Sequence, residues 1–369
     1  VIRLVEPRFP ESVVDGIRMV LASGQLVQGT NVAELERQIA LRLDIDHVVA
    51  VSSGTVALEL ALREHEIGPG ARVLVPAYSF VATANAVVSI GATPVFADVN
   101  EETLTLDPRA ASCVIRDAAV DALLPVHEFG HPADIASLRS IPEFADLPII
   151  EDAACALGTD DGEIGRQGNV SCFSLHPRKV LTAGEGGLVA SSNRDIADRI
   201  RLVRNHGLVV SDGQLDCVYP GTNARMTEMQ AVLALGHLEG LDKSIARRRE
   251  IASVYLTALA DLDSIQPPSA SSGNLNWQTF IIRFRSTTAR DRAAHQLRRA
   301  EIESSVGAQC IPAMAWYREN RISLESVAEE FPNAWRAWTT GLAIPLHEHM
   351  SDFDVNHVLE TLTRIEVEG

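Results

Sequence analysis

Val48-Val49-Ala50-Val51-Ser52-Ser53-Gly54-Thr55 leads into an apolar helical pattern over 56–62. Four apolar residues, a small polar turn and a helical repeat read as strand, turn, helix. The same unit recurs outward from there. Arg72-Val73-Leu74-Val75 is a second short strand, with a helix from about Thr83 to Ser89, and 94–98, 122–126 and 147–150 are three more strand candidates. Strands this apolar, separated by helical stretches, predict an α/β fold: a mostly parallel central sheet with helices on both faces. In such sheets ligands sit beyond the carboxyl ends of the strands. The polar residues that follow each strand are therefore the ones to weigh.

The pattern changes near residue 245. Arg247-Arg248-Arg249 opens a helical stretch through Leu259, and Pro267-Pro268-Ser269-Ala270-Ser271-Ser272-Gly273 marks a loop. Residues 277–285 alternate, with Phe280, Ile282 and Phe284 on one face, as a half-exposed antiparallel strand does. Helical patterns follow at about 288–300 and 352–366. The expected division is a large domain over 1–245, its N-terminal segment packing on the small one, and a smaller α+β C-terminal domain over 246–369.

Composition narrows the functional classes. Of 369 residues, 46% are hydrophobic and 22% charged, an ordinary globular balance. The net charge of −17 argues against a broad nucleic-acid or anionic-membrane surface. Cys113, Cys155, Cys172, Cys217 and Cys310 form no C-x-x-C pair. They read as reduced thiols of a cytoplasmic protein, not a disulfide framework or a metal site. No apolar run approaches the roughly 20 residues that span a bilayer. Arg3, Glu6 and Arg8 do not fit a signal peptide. The chain has 32 basic residues, and Lys179 and Lys243 are its only lysines. Arginine cannot act as an amine nucleophile, whereas lysine can. Each lysine is thus a candidate for amine chemistry.

Lys179 closes Cys172-Phe173-Ser174-Leu175-His176-Pro177-Arg178-Lys179 and is followed by the glycine-rich Gly184-Glu185-Gly186-Gly187. Asp152 ends the strand Ile149-Ile150-Glu151-Asp152, with small Ala153-Ala154 beyond it; alternation turns Glu151 to the other side. Taken alone, Asp152 reads as a helix N-cap. Ser53, Gly54 and Thr55 place backbone N–H groups and two hydroxyls at a helix N-terminus, a setting for phosphate or for plain capping. Ser174 can add a phosphate contact, and His176 reads as a satisfied core imidazole. Phe80 is either a core aromatic or a platform for a planar ring. Together these describe one ligand. A phosphate cup, a stacking aromatic, a carboxylate for a ring nitrogen and an amine for an aldehyde are what pyridoxal phosphate (PLP) requires. A G-x-G-x-x-G dinucleotide fingerprint is absent near the first strand, which counts against a Rossmann dehydrogenase.

The sequence resembles the nucleotide-sugar aminotransferases of the DegT/DnrJ/StrS type, which have the fold type I, aspartate-aminotransferase-like architecture. The resemblance runs nearly end to end. It is carried by Ser23-Gly24-Gln25-Leu26-Val27-Gln28-Gly29, Val51-Ser52-Ser53-Gly54-Thr55-Val56-Ala57-Leu58, Phe80-Val81-Ala82-Thr83-Ala84-Asn85-Ala86, and Pro125-Val126-His127 with Gly130-His131-Pro132-Ala133-Asp134. It continues through Ile150-Glu151-Asp152-Ala153-Ala154, Phe173-Ser174 with His176-Pro177 and Lys179, Asn223 with Arg225-Met226-Thr227-Glu228, and Ile344-Pro345-Leu346-His347.

Position by position, the resemblance implies that Lys179 is the Schiff-base lysine and proton shuttle and that Asp152 pairs with the pyridine nitrogen. Phe80 would stack on the ring, and Ser53, Gly54, Thr55 and Ser174 would hold the phosphate. Asn223 would reach the cofactor of the neighbouring subunit, in a homodimer with shared sites. The implied reaction passes an amine from glutamate or glutamine, through pyridoxamine phosphate, to a keto group of a nucleotide-linked sugar. The cationic cofactor and partial burial are expected to keep the Lys179 amine neutral. Alternatives are a cyclitol or other non-nucleotide ketone as acceptor, or dehydration of a keto-sugar. Departures from the family pattern fall at Cys155, Glu128-Phe129, Arg178 and 304–317, and bear on the acceptor. The Arg- and Ala-rich composition fits a bacterial, antibiotic-sugar setting. Lys179→Arg is expected to abolish transamination although charge is kept, while Lys243→Arg leaves turnover unchanged; steady-state rates of the two variants check this.

Overall fold

A computed structural model describes residues 1–117, 119–159, 164–269, 274–318 and 323–368. Its main sheet contains β1 (His47–Val51), β2 (Arg72–Pro76), β3 (Thr93–Ala97), β4 (Ala122–Leu123), β5 (Ile150–Asp152), β6 (Val170–Ser174) and β7 (Gly187–Ser191). Two ladders, β1-β7-β6-β5 and β3-β2-β4, are joined by parallel bridges from Leu123 to Ile149 and from Val126 to Asp152. β2 pairs parallel with β3 and β4, and β5 with β6, whereas β7 runs antiparallel to both β1 and β6. The mostly parallel sheet expected from the sequence is what forms. The reversal at β7 has a local cause. The chain between β6 and β7 carries no crossover helix and turns through Gly184 (φ 79°) and Gly186 (φ 156°). Without a crossover, a strand laid beside its predecessor must return antiparallel.

Helices cover both faces, and β1 shows why. Val49 and Val51 join one core with Ala57, Leu60, Ala84 and Val87, while Val48 and Ala50 join another with Val32, Leu35 and Ile39. Alternate residues point to opposite faces, so an unbroken apolar run is what a doubly covered strand needs.

The second unit is built on Phe280–Phe284, which pairs antiparallel with Ile265–Gln266 and Gly341–Ile344. The expected half-exposed strand is corrected here: all five of its residues are buried. Phe280, Ile282 and Phe284 enter the small core, but Ile281 packs into the large unit's core and Arg283 Nη1 donates to the Glu101 carbonyl at 2.7 Å. The face of Ile281 and Arg283 is docked, not solvated. Lys243 also moves: it lies exposed in the first turn of the helix Leu241–Leu259, not on a connection. That helix gives Leu241 and Ile245 to the large core and Ile251, Tyr255 and Leu259 to the small one. The division we propose at 245/246 therefore falls inside a continuous helix. Ile2 pairs with Glu301 and Ile302 of the second unit, and Ala308, Cys310, Phe331 and Ala337 return to the large core. Of the expected 267–273 loop, 270–273 lie outside the described residues. Among the described residues no helix is long and apolar enough to cross a membrane.

One buried carboxylate ties the N-terminal segment to the frame. Glu228, 2% exposed, accepts from the backbone N–H of Gly29, Asn31 and Val32 and from Asn31 Nδ2, at 2.7 to 3.0 Å. The first-turn N–H groups of the helix Thr30–Leu43 have no intrahelical partner. Glu228→Ala is expected to cost about 3 kcal/mol of unfolding free energy, read from the denaturant midpoint at unchanged slope.

Candidate active site

Polar side chains gather where the strands end. Beyond β1, Ser53 caps the helix Gly54–Glu64, its Oγ accepting from Val56 N–H at 3.2 Å. The cap uses a lone pair, so the hydroxyl hydrogen remains free to donate outward. Gly54 meets the end of β6 so closely that an added Cβ would stand 2.8 Å from Ser174 Cβ. Ser53, Gly54, Thr55 and Ser174 thus form one narrow cup lined with hydroxyls and helix N-terminal N–H groups. That is the donor chemistry a phosphate takes, and the cup has no room for a methyl group.

Asp152, 4% exposed, closes β5. Thr83 Oγ1 donates to its Oδ2 at 2.8 Å and Ala154 N–H to its Oδ1 at 3.2 Å. No helix begins at Asp152, so capping is not its task. Burial pushes its carboxyl up from the ordinary value, against the Thr83 and Ala154 hydrogen bonds and the charges of Lys179 and His127. Glu151 points to the opposite face, as alternation requires. There it pairs with His127 Nε2 at 2.9 Å and accepts from the N–H of Gly165 and Gly168.

Lys179 lies in the turn after β6, its Nζ donating to Cys155 Sγ at 3.0 Å. The expectation of a neutral amine is revised for the chain's own groups. Burial lowers the amine, as expected, but Cys155, Asp152 and Glu128 together raise it above its ordinary value. Phe80 is 60% exposed and lines the cleft with an open ring face, so it is not a core aromatic. His176 was expected in the core; it is exposed at the cleft, its Nδ1 accepting from Arg178 N–H at 3.2 Å. It falls past the end of β6, where alternation no longer buries it. Asn223 is exposed and stands outside the cleft, beside Asn205 and the hairpin of Leu208–Ser211 with Gln214–Cys217.

The cleft encloses about 600 Å³ and brings Lys179, Asp152, Phe80 and the phosphate cup together. Sequence reasoning missed three of its polar groups. Thr83 reads in sequence as a helix start and Gln278 as one residue of an alternating strand, although its Nε2 donates to the Arg178 carbonyl at 2.9 Å, and Ser79 carries no signal of its own. The hydroxyl pattern of Ser79 and Thr83 four residues apart was visible, but its target was not. The donor set fits PLP: a methyl-free phosphate cup, an amine, and a buried carboxylate whose charge needs a cation.

The model of the DegT/DnrJ/EryC1/StrS aminotransferase family matches residues 9–363. The chain is 31% identical over 374 residues to the spore coat polysaccharide biosynthesis protein SpsC of Bacillus subtilis (strain 168), covering 97% of this chain and 95% of that one. Sugar aminotransferase CalS13 from Micromonospora echinospora superposes with a TM-score of 0.89 at 27% identity, over 99% of this chain and 100% of its own. The PLP-form of Spr1654 from Streptococcus pneumoniae gives 0.91 at 25% identity, over 99% and 98%. Gly54→Ala is expected to weaken cofactor binding at least about tenfold, a loss of about 1.4 kcal/mol, with the fold retained; titration of the cofactor-free protein with pyridoxal phosphate reads this.

Proposed function

The chain belongs to the DegT/DnrJ/EryC1/StrS aminotransferase family and is a PLP-dependent aminotransferase; on that premise we propose that it transfers an amine from glutamate or glutamine to a keto group of a nucleotide-linked sugar. The observation that carries this reading is the meeting of Lys179 and Asp152 in one cleft above a phosphate cup. Bound there, pyridoxal phosphate supplies an aldehyde for the incoming amine and a ring that stabilises negative charge on the adjoining carbon.

The chain's own residues divide the work. Lys179 would hold the aldehyde until substrate frees its amine, and the freed Nζ would then accept and return the proton of the substrate carbon. Asp152 keeps the ring nitrogen protonated, and the cation it gains there offsets the cost of its burial. Ser53, Gly54, Thr55 and Ser174 hold the phosphate, and Phe80 covers one face of the ring. Arg178 and His176, exposed at the cleft, suit the carboxylate of an amino-acid donor. A homodimer is supported by Val210, Leu215, Val218 and Tyr219, which are 43% to 73% exposed around the hairpin beside Asn223. In that assembly Asn223 serves the partner's cofactor. A sugar acceptor is supported by the likeness to CalS13 and to SpsC.

Purified protein is to be offered nucleotide-linked 3-keto and 4-keto sugars and keto-cyclitols, with glutamate and glutamine as donors. An aminated nucleotide-sugar is the expected product. Amination of cyclitols alone overturns the sugar reading, and loss of a sugar hydroxyl without amine uptake makes the protein a dehydratase.

A further inference from the structure

None of the roles above uses Asn276-Trp277-Gln278, the segment that enters the strand Phe280–Phe284 of the second unit. Its backbone is kinked. Trp277 holds φ at 49°, a left-handed conformation that a bulky side chain adopts only when its surroundings impose it. Here they do. Asn276 Oδ1 accepts from the Gln278 N–H at 2.9 Å across the kink, and Arg248 Nη1 donates to the Trp277 carbonyl at 3.3 Å. The Trp277 ring stacks on Phe280 with centroids 5.4 Å apart and meets His131 edge-on at 6.3 Å.

The two side-chain amides grip different parts of the cleft wall. Asn276, fully buried, donates from Nδ2 to the carbonyls of Cys155 and Leu157 at 2.8 and 3.0 Å. Its backbone N–H donates to Thr159 Oγ1 at 3.2 Å, and that hydroxyl donates to the Gly130 carbonyl at 2.9 Å. A Cβ on Gly130 would collide with Asn276 Oδ1, so the fit is close. Gln278 donates from Nε2 to the Arg178 carbonyl at 2.9 Å, while its Oε1 accepts from Thr279 Oγ1 at 2.9 Å. The Arg178 carbonyl shares one planar peptide group with the Lys179 N–H. That N–H donates to the His176 carbonyl at 2.8 Å, so both ends of the plane are pinned. The Lys179 side chain then reaches across to Cys155, Nζ to Sγ at 3.0 Å. One segment of the second unit therefore holds the backbone on each side of that contact.

We propose that Gln278 is a positioning residue for the Lys179 amine: braced by Asn276 across the Trp277 kink, it pins from the second unit the peptide that carries the lysine. The proposal rests on the aminotransferase role of Lys179 and deepens it. An amine that takes and returns a proton must stand within hydrogen-bond reach of it, and a misplacement of about 1 Å costs on the order of a hundredfold in rate. The lysine stem is flexible, so Nζ is placed only as well as the backbone beneath it. Water could satisfy the Arg178 carbonyl equally well. A donor carried by the second unit does more, because it ties the lysine to the part of the protein that closes the cleft. Gln278 acts through Lys179.

The test compares wild type with Gln278→Met, which keeps the length of the side chain but cannot donate, and with Gln278→His, whose ring N–H can. The chain's two lysines permit a reading without cofactor. Acetylation by acetic anhydride over a pH series, followed by mass spectrometry, reports Lys179 against exposed Lys243 in the same molecule. In the wild type, Cys155, Asp152 and Glu128 raise the Lys179 amine against the effect of burial. An amine released from Cys155 loses one of these partners. In Gln278→Met the acetylation midpoint of Lys179 should therefore fall by about half a unit or more, while that of Lys243 stays. With cofactor bound, kcat should fall about tenfold or more with a smaller change in KM. Gln278→His should recover part of both effects. An unmoved Lys179 midpoint or an unchanged kcat in Gln278→Met overturns the proposal. So do losses equal in the two variants, or losses that follow melting temperature alone. A wild type that binds cofactor without transaminating overturns the reading of Lys179 instead, and the acetylation midpoints still decide on Gln278.

Discussion

A carboxylate must stay useful in a place where burial opposes its charge. Asp152 is 4% exposed, and an isolated charge there is costly unless other groups meet it. The surroundings are arranged around that requirement. Thr83 comes from the helix Ala82–Ser89, the Ala154 N–H from the turn beyond β5, and Lys179 from the turn beyond β6. Behind the strand, Glu151 and His127 form a separate buried pair facing the other way. Two neighbouring carboxylates can coexist in the same strand because the pleat sends them to opposite faces.

The sheet's order places these groups within reach. β1 and β6 are separated by β7, yet the helix after β1 and the end of β6 touch at Gly54 and Ser174. That contact depends on a glycine where a methyl group would not fit, and it turns a helix N-terminus into a phosphate cup. The second unit then closes the cleft with Gln278, Ser305 and Ile344. The second face of the strand Phe280–Phe284 docks on the large unit, where Ile281 joins the core and Arg283 reaches the Glu101 carbonyl.

Three of the positions that depart from the family pattern line the cleft with Lys179. Cys155 lies 3.0 Å from Lys179 Nζ, Glu128 lines the same cleft, and Arg178 is the lysine's chain neighbour. The phosphate cup and Asp152 keep the family residues. The cofactor's anchorage is therefore conventional, and what is particular to this chain concerns the protonation of its lysine and the approach of substrate.

The amino-acid sequence by itself determined the alternation of strands and helices, because side-chain period and turn chemistry are local properties. It also singled out Lys179, since a chain that otherwise uses arginine leaves an amine conspicuous, and Asp152, Ser53, Gly54 and Ser174 by their places at strand ends. Only the tertiary structure decided which faces are covered and which protons are held. Phe280–Phe284 reads as half-exposed until the large unit covers the face of Ile281 and Arg283, and His176 reads as core until β6 ends before it. Thr83 and Asp152 stand 69 residues apart in the chain, and the link from Ser79 through Thr83 to Asp152 exists only through space. Hydrogen-bond direction and desolvation depend on neighbours brought from distant parts of the chain, so no local pattern could have carried them.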